Sequence, residues 1–174
     1  MIILDEVTVR FGALRALDRV SLAVRRGETM GLLGGPGAGK STLLALLAGS
    51  LRPHHGRVRV DGLDPVTDAA ALQQRLGPVD PAGPEALSTG PTSATAGRGL
   101  VLIDAPPTAP ATPEGATVVI ASRDPEALTA ACDRLTMLER GRVVARSHVA
   151  PHDDAGRSEP DGRHRGTTPR RNRP

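Results

Sequence analysis

The sequence predicts an α/β fold, and three observations carry that prediction. Residues 100–103 and 117–120 are continuous apolar runs, which are typical of parallel strands that are buried on both faces. A third apolar segment, residues 29–33, runs directly into a glycine-rich stretch. A leucine-rich segment follows that stretch and reads as a helix over residues 41–48. Strand, glycine loop and helix in this order are typical of an α/β domain.

The other elements follow from local patterns along the chain. Alternation of apolar and polar residues over 20–24 indicates a half-buried strand, and Gly49 marks the end of the first helix. Strands are predicted at residues 2–9, 20–24, 29–33, 58–60, 100–103 and 117–120, with a terminal hairpin of 136–139 and 142–145. Further helices are predicted at residues 68–76 and 125–132.

Two stretches lack these patterns. Residues 77–99 consist mostly of Pro, Gly, Ala, Ser and Thr, which predicts a loop or poor order. After Ser147 the chain is polar and rich in proline and arginine. We therefore expect one ordered domain over residues 1–147 and a disordered tail over residues 148–174.

Composition excludes several classes of protein. No apolar run approaches the roughly 18 residues that a membrane span needs, and no N-terminal signal pattern is present. A single cysteine, Cys132, excludes an internal disulfide and suits a reducing cytoplasm. The net charge is only +3, and no aromatic residues are interleaved with the arginines of the tail. We therefore expect no specific nucleic-acid partner and an aliphatic core.

The glycine-rich stretch fits the pattern G-x-x-x-x-G-K-[ST] of a phosphate-binding P-loop. Its lysine, Lys40, is the only lysine in the chain, whereas the other 21 basic residues are arginines. A slim ammonium can fold back along phosphates where a broad guanidinium would not fit. The candidate nucleotide-binding residues are Gly34, Gly35, Pro36, Gly37, Ala38, Gly39, Lys40, Ser41 and Thr42.

Each part of this loop has a chemical reason. Glycines let backbone N–H groups approach phosphate oxygens, and the following helix adds its dipole. Lys40 would neutralise β- and γ-phosphate charge, the Ser41 hydroxyl would hold Mg²⁺, and Thr42 would support a phosphate oxygen. The alternative is an ordinary glycine-rich turn before a helix. The strand before the loop and the helix after it favour nucleotide binding.

With these motifs in place, the chain resembles an ATP-binding cassette ATPase, the motor subunit of ABC transporters. The matching segments follow the family's order and spacing, and they are residues 9–12, 16–22, 34–42, 47–49, 56–58 and 132–144. The resemblance implies a P-loop NTPase fold with an antiparallel N-terminal β-subdomain. It also implies binding of ATP with Mg²⁺.

Two further site residues are implied by the resemblance. The family places an aromatic residue that stacks on adenine where this chain has Phe11, its only aromatic residue; the alternative is a core phenylalanine. The family also places a Mg²⁺-contacting aspartate at the end of the strand that here ends in Asp104. A plain strand-end cap is the alternative for Asp104.

Other family positions do not match. Ala105 stands where the family has the glutamate that polarises the attacking water, and Arg123 stands where it has a histidine. Pro81 replaces the magnesium-sensing glutamine, and residues 87–90 retain only a fragment of the signature loop, for which a plain loop is the alternative. Lys40 and Asp104 are 64 positions apart, roughly half of the family's spacing. We therefore expect the helical subdomain to be largely missing.

The resemblance implies an ATP-binding subunit with impaired hydrolysis. Its partners would be a membrane permease and a second ATP-binding subunit, and its place would be cytoplasmic, peripheral at the inner face of the plasma membrane. Two alternatives stay open. One is a non-hydrolytic nucleotide-binding module, and the other is a decayed fragment that neither folds stably nor binds.

Overall fold

The computed structural model describes residues 1–76, 100–104 and 115–149, which form two sheets and three helices. The strands are β1 (Ile2–Phe11), β2 (Leu14–Val24), β3 (Thr29–Leu33), β4 (His55–Val60), β5 (Leu100–Asp104), β6 (Thr117–Ser122), β7 (Arg134–Glu139) and β8 (Arg142–His148). The helices are α1 (Lys40–Leu47), α2 (Ala69–Leu76) and α3 (Pro125–Ala131). Every strand and helix predicted from the sequence within these ranges is present, with ends that differ by up to six residues.

The N-terminal sheet is antiparallel, with strand order β2-β1-β4. Its buried side chains alternate with exposed ones at the start of β1, as the apolar spacing requires. Strand β2 begins at Leu14, six residues before the predicted start, because a tight turn at Gly12 with φ of 59° joins it to β1 as a hairpin. The antiparallel N-terminal β-subdomain is confirmed.

The second sheet has the order β5-β6-β3-β7-β8. Strands β5, β6, β3 and β7 run parallel, and β8 closes the edge as the antiparallel half of the predicted terminal hairpin. The carboxyl ends of the parallel strands therefore meet at one edge. In open α/β sheets, ligands bind outside this edge.

The main core joins both sheets to α1. Four leucines of this helix are at most 1% exposed, namely Leu43, Leu44, Leu46 and Leu47. They pack in one cluster with apolar residues of β1, β2, β3 and β4. Helix α3 covers the other face of the parallel sheet through a smaller cluster around Ile120 and Leu128. The core is aliphatic, as the composition predicted.

The last strand of the described part ends one residue after the predicted domain boundary at Ser147. Strand β8 ends at His148, and the N–H of Val149 still donates to the Asp133 carbonyl at 2.9 Å. The predicted loop over 77–99 and the tail from residue 150 lie outside the described residues. None of the helices in the described ranges has the length and apolar character that crossing a bilayer requires.

Candidate nucleotide-binding site

The glycine loop leaves the end of β3 and returns as the first turn of α1. At its start, the N–H of Gly34 donates to the carbonyl of Ser122 at 3.3 Å, which fixes the loop against β6. Further on, the Ala38 carbonyl accepts from the N–H of Gly141 at 3.0 Å, in the β7–β8 turn. Both ends of the loop are thus held by neighbouring strands, and the loop lies at the carboxyl edge of the parallel sheet.

The loop's glycines divide into two groups. A Cβ at Gly34 would lie 2.5 Å from the Leu138 carbonyl oxygen, and one at Gly39 would lie 2.5 Å from that of Ala16. These two glycines are therefore required for close packing beneath the loop. In contrast, a Cβ at Gly35 or Gly37 would meet nothing within 4 Å. The open space at those two positions faces outward and has room for a ligand.

Helix α1 starts without the usual partners for its first N–H groups. No side chain caps it, and its first turn contains no acidic residue. The first N–H groups of any helix lack acceptors within the helix, and a bound anion commonly supplies them. The backbone here is therefore suited to an oxyanion.

The side chain of Lys40 folds back over the loop. Its Nζ donates to the carbonyl oxygens of Gly34 at 2.6 Å and Gly35 at 3.0 Å, and the residue is only 8% exposed. Burial lowers the pKa of Lys40, the carboxylate of Asp104 opposes that effect, and the charge of Arg123 adds to it. The ammonium thus lies in a partly desolvated place where it attracts phosphate strongly.

Ser41 and Asp104 meet across the loop. The Ser41 hydroxyl donates to Oδ2 of Asp104 at 2.8 Å, although the two residues come from α1 and the end of β5. A hydroxyl and a carboxylate that face each other are suitable ligands for Mg²⁺. In proteins this ion usually keeps several waters and is bound by one or two carboxylates together with substrate phosphates. The donor set therefore fits this metal.

Phe11 lies at the tip of the β1–β2 hairpin. Its side chain is 52% exposed, and it pairs across the hairpin with Leu14, which is 67% exposed. The alternative of a core phenylalanine is therefore wrong. An exposed ring at this place remains a candidate for stacking on a base.

Arg123 follows β6 at the same edge, because Ser122 pairs with Leu33 at the end of β3. It is exposed and close enough for its charge to affect Lys40. The guanidinium cannot act as a base, but it can contact phosphate. The other unmatched positions, Ala105, Pro81 and residues 87–90, lie outside the described residues.

Sequence reasoning missed the contacts that hold the loop from below. The predicted terminal hairpin did not indicate the role of Gly141 in its turn, whose N–H donates to the loop and whose carbonyl accepts from the N–H of Asp18 at 2.8 Å. Arg142 then donates to the Asp18 carboxylate at 2.9 Å. These partners are far apart in the sequence, so the local pattern of the hairpin could not indicate the contacts.

Comparison with known proteins agrees with this geometry. The family model described as "ABC transporter" matches residues 17–92. The matched segment, 76 of the 174 residues, is similar to the ATP-binding cassette family. Among solved structures, a nucleotide-free ATP-binding cassette from an ABC transporter superposes with a TM-score of 0.62 at 15% identity, covering 86% of this chain and 92% of that one. An ATP-binding cassette in its ADP conformation gives a TM-score of 0.64 at 17% identity, covering 85% and 91%. The cassette fold is therefore present.

Curated relatives match a shorter segment. The arabinose import ATP-binding protein AraG 2 of Burkholderia thailandensis is 57% identical over 60 residues, which is 34% of this cassette and 11% of that protein. A probable sulfate/thiosulfate import ATP-binding protein, CysA of Chlorella vulgaris, is 48% identical over 63 residues, or 36% and 27%. NatA of Bacillus subtilis, an ABC transporter ATP-binding protein, is 41% identical over 81 residues, or 44% and 33%. The cassette thus aligns with at most a third of the length of these relatives.

Proposed function

We propose that this chain is an ATP-binding subunit of an ABC-type transporter that binds MgATP through residues 34–42 and hydrolyses it poorly. The observation that carries the proposal is the meeting of Lys40, Ser41 and Asp104 at the loop. The lysine is folded over the loop carbonyls, and the other two residues are in hydrogen-bond contact. These are the cation and the metal ligands that a nucleoside triphosphate needs.

Each residue has one task in this proposal. The N–H groups of the loop and of the first turn of α1 donate to phosphate oxygens, and Lys40 neutralises their charge. Phe11 stacks on adenine, where stacking on an aromatic ring is worth about 1–3 kcal/mol in nucleic-acid systems. Ser41 and Asp104 would hold Mg²⁺. When bound, this ion would neutralise phosphate charge.

Poor hydrolysis follows from the residue types at two positions of the sequence. Arg123 cannot accept a proton, and Ala105 follows Asp104 in the sequence with no basic group. A positioned acid or base typically contributes about 10²–10⁴-fold to a rate. We expect positioning and charge neutralisation alone to leave turnover at that reduced level. Ordinary phosphate release that disappears in Lys40→Ala would contradict this part of the proposal.

The proposed transport role is carried over from the names of the relatives. AraG 2 and CysA are named as import ATP-binding proteins. By family, this chain would act at the inner face of the plasma membrane with a permease and a second ATP-binding subunit. A non-hydrolytic module in an unequal pair would bind MgATP equally well. It would differ in regaining turnover when a full-length partner subunit is added.

Thermal melting with and without MgATP tests the binding step. A ligand that binds only the folded state stabilises it, by about 2.7 kcal/mol at 100 times its Kd. We expect MgATP to raise the Tm of the wild type and to leave Lys40→Ala unchanged. Arg25→Ala is the matched control, because it removes an exposed cation next to the opposite end of β3. If the wild type is folded but MgATP does not raise its Tm, the chain is a decayed cassette that no longer binds nucleotide.

A further inference from the structure

A second polar depression lies away from the glycine loop, between the N-terminal sheet and β8. Two cavities of about 560 and 340 Å³ share Glu6, Asp18 and Arg19 in their walls. Five arginines line them, and we define these as the arginine groove: Arg10, Arg15, Arg19, Arg142 and Arg146. The volumes are within the range of about 300–1,000 Å³ that small-molecule sites occupy.

The groove concentrates the positive charge of the chain. Its five arginines face two carboxylates, which gives a formal charge of +3, the same as the formal charge of all 174 residues. The rest of the sequence therefore sums to about zero. A local excess of this kind attracts anions to one place on the surface.

The two carboxylates do not pair with all of the guanidinium groups in the groove. Asp18 accepts from Arg142 at 2.9 Å and from Arg15 at 3.4 Å, and Arg19 approaches it only to 4.0 Å. Glu6 accepts instead from the Ser21 hydroxyl at 3.3 Å. Within the described part of the chain, Arg10 has no carboxylate within 4 Å. One buried carboxylate is thus shared among three arginines.

Two arginines also face each other directly. Arg10 of β1 and Arg15 of β2 are register partners in the antiparallel ladder. Like charges directly opposite each other destabilise a sheet, since their Cβ atoms are about 4.5–5.5 Å apart. An anion between the two guanidinium groups would reverse that repulsion.

The strand backbone is distorted at the same place. Between Leu4 and Val9 the β1–β2 ladder shifts register twice, and each shift places an extra residue in one strand. The extra N–H of Glu6 donates to the Ser21 hydroxyl at 2.9 Å, and that of Arg19 donates to the Thr8 hydroxyl at 3.1 Å. Such bulges turn side chains to new directions and are frequent beside binding sites.

Strained backbone conformations also occur in the wall of the arginine groove. Four described residues other than glycine have positive φ, and two of them, Asp61 and Arg140, lie in turns. The other two, Glu6 and Arg19, lie inside strands with φ of 49°, and both line the groove. Left-handed backbone at such residues is uncommon and collects at functional sites.

We propose that the arginine groove binds a compound with clustered phosphate groups. Guanidinium forks match phosphate oxygens in pairs of hydrogen bonds. Each phosphate monoester carries about −1.5 to −2 at neutral pH, so two of them neutralise the local charge. The source is either a soluble polyphosphorylated compound or the headgroup of a phosphorylated lipid. This site is separate from the glycine loop and does not rest on the function proposed above.

Isothermal titration of the full chain with inositol hexakisphosphate tests the proposal. The double variant Arg10→Gln/Arg15→Gln removes the opposed pair, and we expect it to weaken binding about tenfold or more, because two charge-assisted contacts are lost. The control variant Arg170→Gln/Arg171→Gln removes two arginines from outside the described ranges, and we expect a loss below about threefold, because it lowers the net charge by the same amount but leaves the donors of the groove in place. Equal losses in the two variants, or no binding by the wild type, would overturn the proposal.

Two further arms separate folding and the nucleotide site from the groove. Lys40→Ala should bind the probe as the wild type does, even if MgATP binding proves absent. Loss of the probe in Lys40→Ala alone would place it in the glycine loop and overturn the proposal. Melting curves report whether each variant folds, and Arg10→Gln alone serves if the double variant does not.

Vesicles identify the source of the phosphates. Phosphatidylcholine vesicles with and without phosphatidylinositol bisphosphate are compared in a sedimentation assay. Binding that needs the phosphorylated lipid and disappears in Arg10→Gln/Arg15→Gln supports a headgroup. Binding to the soluble probe alone supports a free compound.

Discussion

The Ser41 hydroxyl donates a hydrogen bond of 2.8 Å to Oδ2 of Asp104, joining the first turn of α1 to the end of β5. The two residues are 63 positions apart in the sequence. They meet because β5 runs parallel to β6, β6 runs parallel to β3, and the carboxyl ends of these strands lie at one edge. The contact brings the two proposed metal ligands together between loop and sheet.

Replacing the carboxylate tests its proposed role toward the metal. In Asp104→Asn the amide oxygen can still accept from Ser41, so we expect an unchanged Tm without ligand. The negative charge that attracts Mg²⁺ is lost, and an interaction with a charged group is worth about 1.5–3 kcal/mol. Titration calorimetry should show MgATP binding weakened by about tenfold or more.

The control for this substitution is Asp5→Asn, an exposed carboxylate on β1. It should leave MgATP binding unchanged. In the presence of EDTA, Asp104→Asn should bind ATP at least as well as the wild type, since no metal is then present and the substitution removes a negative charge near the loop. Equal MgATP affinities in the wild type and Asp104→Asn would show that Asp104 only ends its strand.

Two glycines of the loop make a matched pair for substitution. A Cβ at Gly39 would collide with the Ala16 carbonyl oxygen at 2.5 Å, and its φ of 105° suits glycine. We therefore expect Gly39→Ala to cost more than about 1 kcal/mol of stability. At Gly35, a Cβ would meet no atom within 4 Å. Gly35→Ala should melt as the wild type does.

The same pair separates binding from folding. The added methyl group of Gly35→Ala extends into the open space above the loop, and we expect it to hinder phosphate binding. Calorimetry should then show weaker MgATP binding in a protein of unchanged Tm. If Gly35→Ala binds MgATP as tightly as the wild type, phosphate does not occupy that space.

The elements that define the candidate site were predictable because they depend on nearby residues. An apolar strand before the glycines and four buried leucines after them predict β3, the loop and α1 without knowledge of the rest. The end of the apolar run over residues 100–103 also placed Asp104 at the end of a strand, whereas Arg123 was singled out only by the family resemblance. Local pattern and the topology of parallel strands were sufficient for this part.

The sequence did not predict the arginine groove. Arg10 and Arg15 become partners only through three register shifts in the β1–β2 ladder, and no local pattern indicates irregularities of that kind. The bond between Arg142 and Asp18 spans 124 positions. Composition showed a small positive net charge, but it could not show that the positive charge collects on one face.

The Asp18 carboxylate gives the protein a testable dependence on acid. The hydrogen bond from Arg142, more than the charges of Arg15 and Arg19, holds the pKa of Asp18 below its usual value, although burial opposes this. A lowered pKa in the folded state means that this stabilisation is present above the unfolded pKa of about 3.9. It is lost as the pH falls through the lower, folded value.

We therefore expect Asp18→Asn to lower the Tm at pH 7, and the difference from the wild type to shrink below about pH 4. Melting curves measured from pH 7 down to acid, for both proteins in the same buffers, give this difference directly. Asp5→Asn should differ little from the wild type throughout. A difference between Asp18→Asn and the wild type that stays constant with pH would show that packing, not charge, explains the loss.

Cys132, the only cysteine of the chain, reports on opening of the sheet beneath α3. Its side chain is buried, and burial raises the pKa of the thiol to about 12. At pH 8 the thiolate fraction in the folded state is then about 10⁻⁴, so a disulfide reagent should react slowly and only through local opening. The reaction should become fast and complete in denaturant. A native rate equal to that of a small free thiol would contradict the burial of this residue.

Gly31 offers a variant that should change that rate. A Cβ at Gly31 would lie 2.5 Å from Leu135 Cδ2 and 3.0 Å from the sulfur of Cys132. Because the added Cβ would crowd both of these side chains, we expect Gly31→Ala to loosen the packing around the thiol. The thiol should then react faster, by about tenfold for each 1.4 kcal/mol of stability lost. Gly27→Ala is not a suitable control because φ there is 73°, whereas Gly35→Ala has room and an ordinary φ. Thiol kinetics of Gly35→Ala should match the wild type, and a slower reaction in Gly31→Ala would show that the added methyl group fills space instead of crowding it.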